Sequence, residues 1–318
     1  MKKELGIFVL LVVLCALGET LNHQFFSPFN IFNNLNLIGM FGIFSLGMGL
    51  VIITGGIDLS VGSVMALEGV LFAMMLSQKH MAWPLALLLS LSLCVALGAL
   101  NGLLITRVRL QPFIVTLCGL LFYRGVARFI TNDETKGFGD AQGFEGIKAF
   151  FTGSFLNVPV SFYLLLVVSA VMWVLLHRSI YGRYLYATGR NEDAARYSGI
   201  NTRIVISSAY VILGLLTALS GILFAFYTNS IQPSSQATSY ELYGVAAAVL
   251  GGCSLRGGEG SVLGILFGTI LLIVLQNLVN LLGIPSSLNF AVMGAVILLG
   301  VLADQLLKNR KPRVRAAA

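Results

Sequence analysis

Charge is what this chain has least of. Only 10% of its residues are Asp, Glu, Lys or Arg, against 57% that are hydrophobic, and the mean hydropathy is +0.89. A soluble domain carries about 25% charged residues. So few charges cannot cover a surface facing water, and a soluble domain is excluded. Metal-binding patterns are also missing. The four cysteines, Cys15, Cys94, Cys118 and Cys253, show no CxxC spacing, and His23, His80 and His177 are scattered. Neither a metal site nor a disulfide framework is expected. There is no Gly-Lys-Ser/Thr phosphate loop, no dinucleotide fingerprint and no catalytic triad. These absences argue against an ATPase or an enzyme, and no cofactor is expected. The excess of basic residues, +7 overall, would suit nucleic acid. Its placement along the chain argues for membrane orientation instead, with no nucleic acid.

What is present is apolar segments of spanning length. A membrane helix needs about 20 mostly apolar residues. Ten candidates follow one another: Leu5–Leu17, Leu37–Thr54, Val61–Leu76, Trp83–Ile105, Pro112–Ile130, Phe162–Leu176, Ile204–Tyr227, Tyr243–Cys253, Val262–Leu281 and Leu288–Leu307. The eighth is too short to cross alone, and its start is expected earlier, near Ser239. The first, behind Lys2 and Lys3, is read as an uncleaved helix. A signal peptide is the rival reading there, with a poor lipoprotein box before Cys15. The expected fold class is an all-α integral membrane protein of about ten transmembrane helices, one transmembrane domain over residues 1–318.

An even count of spans sorts the loops by charge. Fifteen of the 20 basic residues fall on the side of Met1 and only Lys79, Arg124, Arg128, Lys136 and Lys148 on the other. The positive-inside rule then puts both termini in the cytoplasm. Two long connections stand out. Residues 131–157 form an outer loop, where Phe144, Ile147 and Phe151 have the spacing of a short helix lying on the membrane. Residues 177–203 form an inner loop. Within it Asn191 is a good helix N-cap. Glu192 and Asp193 suit the positive end of the helix dipole and Arg196 the negative end. Gly199 suits a left-handed closing residue. About two turns of helix outside the membrane, with small Ala194 and Ala195 for close approach, are built to touch a partner.

Polar residues inside the spans are functional candidates by default. The stretch from Thr54 to Ser63 breaks the hydrocarbon pattern with Gly55, Gly56, Asp58 and Ser60. A broken backbone at membrane depth must be buried in protein or line a wet cavity. Charge sorting puts this stretch at the cytoplasmic end, which makes Asp58 a cap and hinge element near an inner gate. Glu68 lies eight residues beyond Ser60, about 12 Å deeper and so near the midplane. It is read either as a ligand in a polar pathway or as a packing residue. Asn101 sits near the inner end of the fourth span, and Thr116 in the fifth. Glu241 precedes the eighth span on the outer side. A second glycine cluster, Gly251 to Ser261, shares the frame Gly-Gly-x-x-Leu with the first.

Taken together, these stretches resemble the permease subunits of bacterial ABC-type monosaccharide importers, the ribose, xylose, arabinose, rhamnose and autoinducer-2 class. The resemblance runs from about Asn30 to Leu307. It is carried by Gly55 to Ser63, Asn101-Gly102, Pro112 to Leu117, Arg124-Gly125 and Gly182-Arg183. Gly189-x-Asn191-x-x-Ala194-Ala195-x-x-Ser198-Gly199-Ile200, Glu241 and Gly251-Gly252 complete it. It implies a pair of permease subunits, identical or sibling, on two cytoplasmic ATP-binding subunits, with a periplasmic sugar-binding protein delivering substrate in the bacterial inner membrane. Residues 189–200 then correspond to the helix that docks into the ATPase. Glu68 departs from the family pattern, which favours small or neutral residues there. An ion-coupled secondary transporter with Glu68 as the relay is the alternative. A membrane enzyme on lipid-linked sugar would want paired carboxylates, and no convincing set is present.

Overall fold

A computed structural model describes residues 2–139 and 141–285, with residues 288, 291, 292, 294, 295 and 298 of the remainder. The tenth expected span, Leu288–Leu307, falls largely outside the described residues, as do Asp140 and the basic tail from Lys308.

Helices dominate: α1 (Lys2–Leu21), α2 (Pro28–Ile53), α3 (Val61–Ser77), α4 (Trp83–Thr106), α5 (Pro112–Thr131), α6 (Glu145–Thr152), α7 (Val160–Trp173), α8 (Ile180–Arg190), α9 (Glu192–Tyr197), α10 (Thr202–Thr228), α11 (Tyr240–Leu250) and α12 (Val262–Leu281). A π turn over Val174–Arg178 extends α7. Among the described residues, six helical stretches are long and apolar enough to cross a membrane: α2, α4, α5, α7 with its π turn, α10 and α12. Shorter apolar helices are Leu5–Leu21 in α1, together with α3 and α11. The chain is therefore a multi-pass, all-α membrane protein. Among the described residues, four two-residue strands make two small antiparallel ribbons. Lys136–Gly137 (β1) pairs with Ser230–Ile231 (β4), and Ser154–Phe155 (β2) with Val158–Pro159 (β3).

Helix α2 is the axis of the bundle. Its sixteen residues from Ile38 to Ile53 are all buried. A helix that is apolar all round belongs in the interior, and α7, α10, α11 and α12 pack around it. Pro28 begins it, where a missing N–H costs nothing, and the Ser27 side chain caps it. Helices α4 and α10 share the most extensive contact. Gly98 and Gly214 allow it: a Cβ on either would lie 2.4 Å from a backbone oxygen of the other helix. Small residues let membrane helices approach closely where no hydrophobic effect drives them together. By contrast α1, α4, α5 and α7 turn large apolar side chains outward, such as Leu88, Phe122, Phe129 and Val167.

The bundle has two unlike ends. One gathers the starts of α5 and α10, the end of α4 and helices α8 and α9; it carries Arg107, Arg109 and the arginines from 178 to 203, and is called the basic end here. At the other, α6 folds back onto the body. Phe144 is buried, and Phe138, Phe144 and Phe151 ring Phe226 of α10. This corrects the expectation that the Phe144, Ile147 and Phe151 face lies on the membrane. That face is spent on the protein, because the ends of α3 and α10 offer it Phe72 and Phe226.

Candidate functional site

The polar residues of the opening glycine stretch fold into one buried cluster. After α2 ends, residues 54–60 turn back into the bundle. The Tyr210 hydroxyl of α10 donates to the Ile57 carbonyl at 3.2 Å. Tyr210 lies eight residues into α10, so the cluster sits about 12 Å inside the basic end. Asp58 Oδ1 accepts the Ser60 backbone N–H at 2.7 Å and the Ser60 hydroxyl at 2.6 Å. Asn101 Nδ2 donates to Asp58 Oδ2 and to Ser60 Oγ, both at 3.2 Å, and Tyr123 donates to Asn101 Oδ1 at 3.4 Å. Asp58, Ser60 and Asn101 are each 4% exposed or less. Asp58 thus holds the turn before α3; it does not cap the helix as expected, since the N-cap is Ser60 and Asp58 bonds the Ser60 N–H rather than a helical one. Removing its carboxylate would strand the Asn101 amide and the Ser60 donors, at a cost of about 1–3 kcal/mol for a buried unpaired group.

The short apolar helices α3 and α11 both begin at this level. A Cβ on Gly62, in the first turn of α3, would meet the Ala237 carbonyl at 2.3 Å and Glu241 Oε2 at 2.6 Å. Glu241 opens α11. Its expected place at the outer mouth of the eighth span is therefore corrected. Residues 232–239 descend from the far end, so α11 starts beside α3 inside the bundle. Arg124 holds that descending segment, its Nη1 donating to Pro233 O at 3.0 Å and Gln236 O at 2.7 Å. Neither α3, with 17 residues, nor α11, with 11, crosses the bundle alone. They are half-helices with their positive N-termini close together. Discontinuous helices of this kind line cavities where ordinary loops cannot be accommodated.

The remaining candidates are placed separately. Gly55 and Gly56 stay at the basic end, Gly55 with φ +84° below the Arg256 carbonyl and Gly56 against the Tyr210 hydroxyl. Thr116 is buried, but its hydroxyl is bonded to Pro112 O of its own helix at 2.8 Å. It reaches the cluster only through Gly119, one turn on, which lies against Ser60. Glu68 is apart. It is fully buried two turns up α3, facing α4 and α10, with the Cys94 thiol beside it and Gly221 under its carboxyl. Gly221 lies about 28 Å along α10, past the helix midpoint at about 20 Å. Because α3 begins inside the bundle rather than at its end, Glu68 lies farther from the basic end than the count from Ser60 alone implies.

At the basic end, the short helix in the inner loop forms as its punctuation predicts. Asn191 Oδ1 accepts the Ala194 N–H at 2.9 Å, and Arg196 pairs with Asp193 at 2.7 Å. Gly199 closes it at φ +86°. Helix α9 is six residues long, slightly less than the two turns expected. Glu192, Ala194 and Tyr197 face outward, while Ala195 packs inward and Ile200 is half-buried. Tyr197, 86% exposed, is the largest exposed side chain of the segment. The sequence reading missed it, and it missed α8, whose start is signalled by the Ser179 cap on Gly182. Gly189 ends α8 tight against the Ile53 carbonyl.

The comparisons bear on this arrangement. Residues 30–301 match the family described as branched-chain amino acid transport system, permease component. The chain belongs to this permease family. The permease is 40% identical to the ribose import permease protein RbsC of Bacillus subtilis (strain 168), over 95% of its own length and 93% of that protein. RbsC of Escherichia coli (strain K12) is also 40% identical, over 93% and 92% of the two chains. The fructose import permease protein FruF of Bifidobacterium longum (strain NCC 2705) is 31% identical, over 92% and 83%. These relatives are transport subunits rather than enzymes. They give no support to the ion-coupled alternative built on Glu68.

Proposed function

We propose that this permease is the membrane-spanning subunit of an ATP-driven importer, carrying a monosaccharide into the cytoplasm across the bacterial inner membrane by alternating access. The observation that carries the reading is the 40% identity to ribose import permeases over 95% of the chain. The bundle is in keeping with it. Neutral sugars need hydroxyls, amides and an occasional carboxylate along a path, not fixed ion pairs. The cluster of Asp58, Ser60, Asn101 and Tyr123, with Glu241 beside Gly62, supplies such groups at the meeting point of two half-helices. Gly55, Gly56 and Thr116 flank that path. Glu68, packed against Gly221 and away from the cluster, is assigned to packing.

In this reading the chain spans the membrane ten times with both termini cytoplasmic, as the charge asymmetry of its loops supports. A second permease subunit, identical or sibling, completes the channel. Residues 177–203 face the ATP-binding subunits, with Gly189, Asn191, Glu192, Ala194, Ala195, Gly199 and Ile200 shaping the contact segment and Tyr197 as its outward anchor. Residues 131–157, with α6, face a periplasmic sugar-binding protein. Reconstitution tests the whole. Proteoliposomes holding the permease, its ATP-binding subunits and the loaded binding protein should take up sugar with ATP. Uptake that persists without any ATP-binding subunit would sink the proposal.

A further inference from the structure

Three segments far apart in sequence meet backbone to backbone at the basic end. The Gly258 N–H donates to the Ile53 carbonyl at 2.8 Å. Gly189, next to last in α8, is wedged between them: a Cβ there would lie 1.7 Å from Ile53 O and 2.7 Å from Gly258 N. Gly257 closes the junction from the other side. Its Cβ would lie 2.5 Å from Gly189 O and 2.9 Å from Gly55 N, and its φ of +84° already disfavours any side chain. One turn earlier in α8, the Tyr186 hydroxyl donates to Gly260 O at 2.7 Å. The contacts of Gly189 with Ile53 and Gly258, and of Gly257 with Gly189, are backbone to backbone, so a shift of α8 acts directly on its neighbours.

Each of those neighbours leads to a half-helix. From Ile53 and Gly55 the chain runs through Ile57, fastened to Tyr210, into Asp58 and α3. From Gly257 and Gly258 it runs back through Gly251 into α11. The far ends of both routes meet again where Gly62 abuts Ala237 and Glu241. Helix α9 follows α8 after the single residue Asn191. A displacement of α8–α9 is thus delivered to both half-helices from one point.

We propose that Gly189 and Tyr186 are positioning residues for transport: they transmit movement of the α8–α9 segment to the paired half-helices α3 and α11. Neither residue touches nucleotide or belongs to the sugar-path cluster. This rests on residues 189–200 contacting the ATP-binding subunits. The observation behind it is a contiguous packed junction shared by both routes, the kind of network that carries coupling between distant sites.

The test uses the complete importer in proteoliposomes with Gly189→Ala and Tyr186→Phe. Three quantities are read: copurification of the ATP-binding subunits, ATP hydrolysis stimulated by the loaded binding protein, and sugar moved per ATP. In Tyr186→Phe, whose position is not among the residues shaping the ATP-binding contact, the expected result is normal copurification and continued hydrolysis. Sugar per ATP should fall about tenfold in Gly189→Ala and about two- to threefold in Tyr186→Phe, within the range for coupling residues. Tyr186→Phe removes one hydroxyl and settles the matter if the alanine variant fails to assemble. An unchanged ratio in Tyr186→Phe, or uptake and hydrolysis falling together in equal proportion, overturns the proposal. Failure of the wild-type permease to copurify with ATP-binding subunits would instead overturn the functional reading beneath it.

Discussion

At the scale of single residues, the most informative side chain is Glu68. Nothing in the described residues gives either of its carboxyl oxygens a hydrogen bond of good geometry, although it is 0% exposed. Gly221 makes room for it, since a Cβ at that position would lie 2.2 Å from Glu68 Oε2. Gly221→Ala should therefore destabilise the permease by about 1–3 kcal/mol, the usual cost of overpacking. Glu68→Ala in the same chain should return most of that loss. Thermal unfolding of the two single variants and the double variant checks this as a mutant cycle. Additive effects would show that the carboxyl does not press on α10. The sequence marks Glu68 as unusual, because a carboxylate among apolar residues is conspicuous. It does not show Gly221 as its counterpart, because that pairing spans two helices more than 150 residues apart.

At the scale of elements, capping and charge explain where helices stop. Helix α5 ends at Asn132, whose φ of +51° is the left-handed closing conformation. Arg128 then reaches past the cap to Asp133, with Nε at 3.0 Å and Nη2 at 2.5 Å from Oδ2. That guanidinium holds the Asp133 carboxyl below its usual value of 3.8. A carboxyl with a depressed folded pKa contributes stability above the unfolded pKa and loses it as pH falls through the folded one. The Asp133→Asn variant should thus melt slightly below wild type from neutral pH down to about pH 4. The gap should close on further acidification. Melting curves across that range check it, and a gap that widens toward low pH would contradict the assignment. The N-cap of α9 and the Gly199 closure are legible from sequence in the same local terms. The half-helices are legible in part: α11 is too short to cross and starts behind Ser239, as its length and flank predict. An apolar run of 17 residues such as α3, however, has the same periodicity whether it crosses the bundle or stops inside it.

At the scale of the whole molecule, the distribution of charge and the fold describe the same object. The ends recognised by their arginines are those at which α4 finishes, α5 and α10 start and α8–α9 lie. In the proposed orientation a cysteine placed at Tyr197 should be labelled by an impermeant thiol reagent only from the cytoplasmic side. One at Lys148, whose ammonium reaches Asn229 at the far end, should be labelled only from the periplasm. Labelling of both from one side would refute the crossing of α7 between them and the orientation built on it. The sequence alone determines that this is a multi-pass helical membrane protein, which loops are basic, where α9 begins and ends, and that Gly55 to Ser63 and Glu241 are special. These properties are local: hydropathy, net charge and cap chemistry are written within a few residues of where they act. Tertiary structure alone decides that residues 54–60 and 232–239 both turn inward, that Gly62 meets Glu241, and that Gly189 locks onto Ile53 and Gly258. Those contacts join segments up to about two hundred residues apart. They depend on glycines whose only signature in the sequence is the absence of a side chain.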